Sequence, residues 1–328
     1  MLKRFSALLV AAGILVSAAA CSKTDSNPAT GDTKAAASES KASDVKKEKV
    51  ESLVIAYLPN DAKPELAQYR DGLAKDMQTA LKDMGVKEVK EFSATDYNAA
   101  IEAMRNGKAD IVSFGPLSYC QAHQRANAEC IVAPALDAKK ENCGYYSYII
   151  TQAKNDKINS LTDLKGKKFA FVDPDSTSGN LVPSFEILKA FPNDKLTIDD
   201  LHTNGKFFES VTFSGSHPNG LQAVSKGDFD AAPCASDVYD RELQNKKFDE
   251  KAIKIIFKSP KIMGSPIGVR SNLPDDLKKA IKDFYLKYDN DDYFVKFVGQ
   301  KPGQKQRYIP VDDSDYQNIY DLMKKFNL

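Results

Sequence analysis

Histidine is scarce in this 328-residue chain, with three in all and no HExxH pair, which excludes the usual helical zinc-hydrolase arrangement. The five cysteines include no CxxC spacing, so a zinc ribbon or a thioredoxin-like redox pair is excluded as well. A GxSxG nucleophile elbow is also missing. Charge of one sign is lacking too: 46 Lys and Arg stand against 45 Asp and Glu. Without residues 1–21, which hold Lys3 and Arg4 and no acid, the count becomes 44 against 45. No basic surplus exists to grip nucleic acid. The apolar run Leu8 to Val16 falls well short of the ~20 residues that span a bilayer.

What is present at the N-terminus reads as a targeting segment. Lys3 and Arg4 precede the apolar run, and Ser17 to Ala20 supply small residues before Cys21. This junction resembles the lipobox of bacterial lipoproteins, which implies cleavage and lipidation at Cys21; it departs from that pattern at Ala18, where leucine is usual. Residues 22–52 are rich in Ser, Ala, Lys, Asp, Thr and Glu, without an aromatic. Such a stretch buries too little apolar surface to offset its ordering entropy and is expected to be a disordered tether. The reading is an exported protein held at a membrane by a lipid. Cys120, Cys130, Cys143 and Cys234 remain, with their pairing left open among alternative connectivities.

From Leu53 onward strand-like and helix-like segments alternate, which predicts an α/β fold with largely parallel sheets covered by helices. Strands are expected at Leu53 to Tyr57, Val86 to Phe92, Ala109 to Phe114 and Cys130 to Leu136. A crossover strand follows at Tyr145 to Thr151, and the pattern restarts. The last seventy residues read as mainly helical. A body of this size exceeds a comfortable single core. Two lobes are therefore expected, 53–144 plus 251–328 and 145–250, joined by two crossover strands around a central cleft. Ligands of open α/β sheets sit at strand carboxyl ends, where this reading places Tyr57, Phe114, Ser176 to Gly179, His217 and Asp237.

The most informative stretch is Asp173-Pro174-Asp175-Ser176-Thr177-Ser178-Gly179-Asn180. It lies between the strand-like Lys168 to Val172 and the helix-like Leu181 to Ala190. Unpaired N–H groups and the positive end of the helix dipole seat an oxyanion, and the hydroxyls add donors. A Ser in such a place also serves simply as an N-cap.

Ordered motifs sharpen this picture. They are Asp96-Tyr97, Ala109-Asp110-Ile111 with Phe114 to Tyr119, Ser160 to Gly166, Phe171 to Gly179, Phe213 to His217, Leu221 to Val224, Gly227 to Ala231 and Lys258-Ser259-Pro260. The chain from about residue 53 to 270 resembles the phosphate/phosphite/phosphonate-binding proteins of ATP-binding cassette importers, within the type 2 periplasmic binding protein fold. The resemblance implies that Ser176, Thr177, Ser178 and the backbone at Gly179 grip phosphoryl oxygens and that His217 donates to another. It makes Phe114 and Tyr57 cleft-wall residues, and it aligns Asp237 with a carboxylate that pairs with a ligand ammonium. Asp237 has a second reading as a helix cap. Ser265 stands where a further acid would favour an amino ligand, which gives weight to phosphate, phosphite or a simple alkylphosphonate. The implied partners are a permease and ATPase complex and a membrane, with no nucleic acid, no metal and no cofactor, and a monomer suits delivery. Rival readings are a same-fold binder of sulfate, a sulfonate or another small anion, a tethered sensor, and a hydrolase built on Ser178, His217 and Asp237.

Overall fold

The computed structural model describes residues 50–301 and 303–328. The signal segment, Cys21 and the tether up to residue 49 lie outside the described residues. Regular structure begins at β1 (Ser52–Tyr57), whose Leu53, Ile55 and Ala56 are fully buried. Helix α1 (Ala67–Ala80) lays Leu73 and Met77 against it and leads to β2 (Glu88–Ser93). Helix α2 (Tyr97–Arg105) starts where the Asp96 carboxylate accepts from Ala99 N at 2.7 Å, and stops at Asn106-Gly107. Strand β3 (Ile111–Ser113), α3 (Pro116–Ala126) and β4 (Ala128–Leu136) complete this run. Proline suits the first turn of α3, where its missing N–H would have no partner anyway.

The chain then crosses to a second sheet. It comprises β5 (Ser147–Gln152), β6 (Lys168–Phe171), β7 (Ser210–Phe213), β8 (Ala231–Ala235) and β9 (Ile253–Lys258). Around it pack α4 (Val182–Ala190), α5 (Ile198–His202), α6 (His217–Lys226) and α7 (Ser236–Gln244). A return crossing leads to β10 (Ile267–Arg270), α8 (Asp275–Lys287), α9 (Asp291–Tyr293), β11 (Gln306–Pro310) and α10 (Gln317–Phe326). The two crossings touch one another: Tyr145 N donates to Ile262 O at 3.0 Å and Ile262 N to Tyr145 O at 2.8 Å.

Among the described residues the sheets have the orders β11-β4-β10-β3-β1-β2 and β7-β6-β8-β5-β9. Their arrangement is less parallel than the segment pattern predicts. β1 pairs in parallel with β2 and β3, and β6 with β7 and β8. The crossing strands break the pattern: β10 enters antiparallel between β3 and β4, and β5 runs antiparallel to β8 and β9. A strand that follows a short crossing rather than a helical connection is free to enter the sheet in the opposite sense. Strand β11 adds to the mainly helical reading of the last seventy residues, which named no strand there; it pairs antiparallel with β4.

Candidate functional site

The carboxyl ends of both sheets face a shared cleft. Within it lies a cavity of about 90 Å³ lined by Ser176, Thr177, Ser178, His217, Asp237 and Phe114, among others. At roughly 10–15 Å³ per enclosed water, it holds several waters or one small polyatomic anion.

Phe171 ends β6, the strand that feeds the central loop, and Ser176 occupies an N-cap position. Its Oγ accepts from Gly179 N at 3.0 Å, so the capping reading is realised. Residues Thr177–Leu181 form one π-turn that runs directly into α4. The first N–H groups of that turn, at Thr177 and Ser178, have no carbonyl a turn earlier to receive them. Ser147 Oγ donates to Ser178 O at 2.7 Å and fixes the loop to β5. Gly179 supports the cavity from behind and does not line it: a Cβ there would lie 2.3 Å from Val172 Cβ.

His217 is the first residue of α6 and is 2 % exposed. Its Nε2 lies 3.2 Å from Ser178 Oγ, and Ala235 N donates to its Nδ1 at 3.2 Å. The Ala235 donor assigns the neutral tautomer with the proton on Nε2, aimed at the serine. Burial, aided by the Arg241 charge, lowers its pKa to about 3, so the ring is an uncharged donor at neutral pH.

Asp237 sits in the first turn of α7 with Oδ1 accepting from Val238 N at 2.8 Å. The N-cap position belongs to Ala235, so Asp237 is not the cap; it lines the cavity from within the first turn. Burial pushes its pKa up to about 6, while the Val238 N–H and Arg241 pull it back. Phe114 lines the cavity, packed so closely on Gly268 that a Cβ there would come within 2.9 Å of its ring.

Tyr57 is placed elsewhere. Its ring is buried in the first lobe, edge-on to Phe297 at 5.8 Å with Arg70 5.5 Å from its centroid, and it does not reach the cavity. A residue ending a strand faces the cleft or the core according to the pleat, and this one faces the core. Two other tyrosines take the wall position. The Tyr145 hydroxyl interacts with Ser178, Thr177 and Ser265, and the Tyr97 hydroxyl with Ser176 and Asn60. Sequence reasoning missed Asn60, Tyr145, Arg241, Phe297 and Tyr308 as wall residues. Only Tyr97 had a signal, the aspartate cap before it.

Three helix starts are completed from across the cleft. Thr177 Oγ1 accepts from Leu117 N of α3 at 2.8 Å, and Asp173 Oδ2 from Tyr97 N of α2 at 3.4 Å. In the reverse direction Asn60 Oδ1 accepts from His217 N of α6 at 2.8 Å, while Asn60 Nδ2 donates to Tyr97 Oη at 2.5 Å. Asp173 shows the cost of this burial, its pKa being raised to about 6.

Two α/β lobes around a cleft that opens at the strand ends define a periplasmic binding protein. Comparison with known families gives the particular group: residues 55–316 match the model of the periplasmic phosphonate substrate-binding proteins of ABC transporters, and the chain belongs to that family. It is 34% identical over 216 residues to the phosphonates-binding periplasmic protein of Escherichia coli K12, a match covering 65% of this chain and 60% of that protein. It is 27% identical over 278 residues to the phosphate-import protein PhnD of Mycolicibacterium smegmatis, covering 82% and 84%. A crystal structure of a binding component of a Pseudomonas aeruginosa phosphonate transporter superposes with a TM-score of 0.69 at 26% identity, covering 85% of this chain and 87% of that one. These relatives are substrate-binding proteins, which sets aside the reading of Ser178, His217 and Asp237 as a hydrolase triad.

Proposed function

We propose that this protein captures a small phosphorus oxyanion (phosphate, phosphite or a simple alkylphosphonate) in the cleft and delivers it to a membrane permease. The observation that carries the reading is the convergence of neutral donors on one cavity: three consecutive hydroxyls, two tyrosine hydroxyls and an uncharged histidine. A tetrahedral anion offers each donor an acceptor, and charge-assisted bonds in a site closed to water are the stronger kind. The wall's arginine is already engaged with protein acceptors, so recognition rests on dipoles and hydroxyls.

Asp237 supplies the discrimination. A protonated phosphorus oxygen donates to its carboxylate, whereas sulfate has no proton to give and faces a repelling charge. The same carboxylate would attract an ammonium, which makes 2-aminoethylphosphonate the informative competitor. Export, a lipid on Cys21, a tether that begins at residue 22 and ends before β1, which takes in Ser52 of the expected 22–52 stretch, and action as a monomer complete the proposal. Capture near the membrane then precedes docking on the permease.

Calorimetric titration with phosphate, phosphite, methylphosphonate, 2-aminoethylphosphonate and sulfate tests this. Tight binding of one phosphorus anion is expected, weakened roughly 10–100-fold in Ser178→Ala, the loss of one hydrogen bond to a charged group. Asp237→Asn is expected to narrow the preference over sulfate. Absence of heat with every phosphorus anion overturns the reading.

A further inference from the structure

Helix α7 presents two side chains on successive turns. Asp237 faces the cavity, and four residues later Arg241 reaches across to the other lobe. Its Nη1 donates to Asp61 Oδ1 at 2.7 Å and Phe297 O at 3.0 Å, and its Nη2 to Asn60 O at 2.8 Å. Nε points back to Glu242 Oε1 at 3.4 Å on α7 itself. The Arg241 side chain is 3 % exposed and that of Asp61 21 %. Asn60 and Asp61 follow β1, and Phe297 follows α9, so every acceptor beyond Glu242 belongs to the lobe opposite α7.

The surrounding surface is built for the same approach. Gly299, at φ +97°, lies so close to α7 that a Cβ would stand 2.3 Å from Asp237 O. Around the rim, Lys301 pairs with Asp240 at 3.0 Å and Lys247 with Glu65 at 3.0 Å, while Lys63 donates to Asn219 Oδ1 at 2.8 Å. Rim pairs are half in water and contribute little. A buried guanidinium shared among a carboxylate and two carbonyls contributes through geometry, and removing one partner leaves buried charge or carbonyls unmatched.

We propose that Arg241 is a positioning residue for ligand capture: although its side chain forms part of the cavity wall, its donors are spent on the opposite lobe, so it pins α7 to the segments at residues 60–61 and 297, holds the lobes closed, and sets the affinity for every ligand by a common factor. The proposal rests on the reading of the cavity as an anion-capture site. Its logic is population shift. A ligand that needs the closed form binds more weakly in proportion to the loss of that form, whatever the ligand's chemistry.

The test compares wild type with Arg241→Gln and the milder Asp61→Asn. Affinities and dissociation rates are measured for phosphate, phosphite and methylphosphonate, and dimensions by small-angle X-ray scattering with and without saturating phosphate. Arg241→Gln is expected to weaken each anion that wild type binds by roughly tenfold or more. The factors should agree within about twofold, and the loss should fall mainly in faster dissociation. Asp61→Asn should follow in the same direction, and both ligand-free variants should be more extended than wild type. Unequal factors among the anions, or unchanged affinity in both variants, overturns the proposal. If wild type binds none of the three, the capture reading fails; the scattering comparison then decides the latch alone, with identical dimensions overturning it.

Discussion

Ser178 Oγ and His217 Nε2 lie 3.2 Å apart in a cavity that the histidine enters as a neutral donor. The pair resembles a nucleophile and its base, yet the low pKa of the ring makes it a poor proton acceptor and suits it to hydrogen-bonding an anion. Its folded pKa of about 3 lies below the ordinary histidine value. Below about pH 6.5 the unfolded chain takes up a proton that the folded one refuses, so this contribution to stability is lost as pH falls toward 3. His217→Gln removes the linkage. The stability difference between wild type and variant, from urea unfolding at several pH values, should shift against wild type by on the order of 3 kcal/mol between pH 7 and 4.

Asp237 is linked in the opposite sense. Its folded pKa of about 6 is raised above the usual carboxylate value, so the folded state holds a proton that the unfolded state has released. The associated stability is complete below about pH 4 and is lost as pH rises through 6. Asp237→Asn should therefore gain on wild type as pH rises from 4 to 7, by on the order of 1–3 kcal/mol. A gain that instead grows toward acid pH would contradict the assignment.

Gly179 leaves no room for a side chain, with Val172 Cβ and Ser176 Oγ both inside 3 Å of the added carbon. Gly179→Ala is expected to lower folding stability by about 1–3 kcal/mol, the usual cost of overpacking. Because Ser176 must move, anion affinity should fall as well. Thermal unfolding and calorimetry on the same preparation check both.

Cys120, Cys130, Cys143 and Cys234 are free thiols rather than paired half-cystines. Burial is the first cause of their high pKa values, pushed up to about 12 at Cys120 and about 11 at Cys130, and up also at Cys143 and Cys234. Thiolate is the reactive form. Reaction with an aromatic disulfide reagent at pH 8 should be slower than for a free cysteine by about 100-fold or more, and rapid at all four after denaturation.

Periodicity carried most of the fold. The strand expected at Leu53 to Tyr57 is β1, which starts one residue earlier. Strand β11 was hidden because Gln-Arg-Tyr-Ile-Pro is short, opens with polar residues and ends in proline. Helix α6 begins at His217, with Pro218 in a first turn where its missing N–H costs nothing. Among site residues, the serine-rich loop was legible because its composition is unusual between a strand and a helix. Arg241, Asn60 and Phe297 carry no local signal. They matter only through partners far away in sequence, such as Arg241 and Asp61 across the cleft.

The helix starts completed from the opposite lobe bear on recombination. Each lobe carries caps that belong to its neighbour: Thr177 for α3, Asp173 for α2 and Asn60 for α6. A chimera that exchanged one lobe for a relative's would inherit the ligand contacts of the donor, but would close properly only if these small polar side chains were exchanged as a matched set.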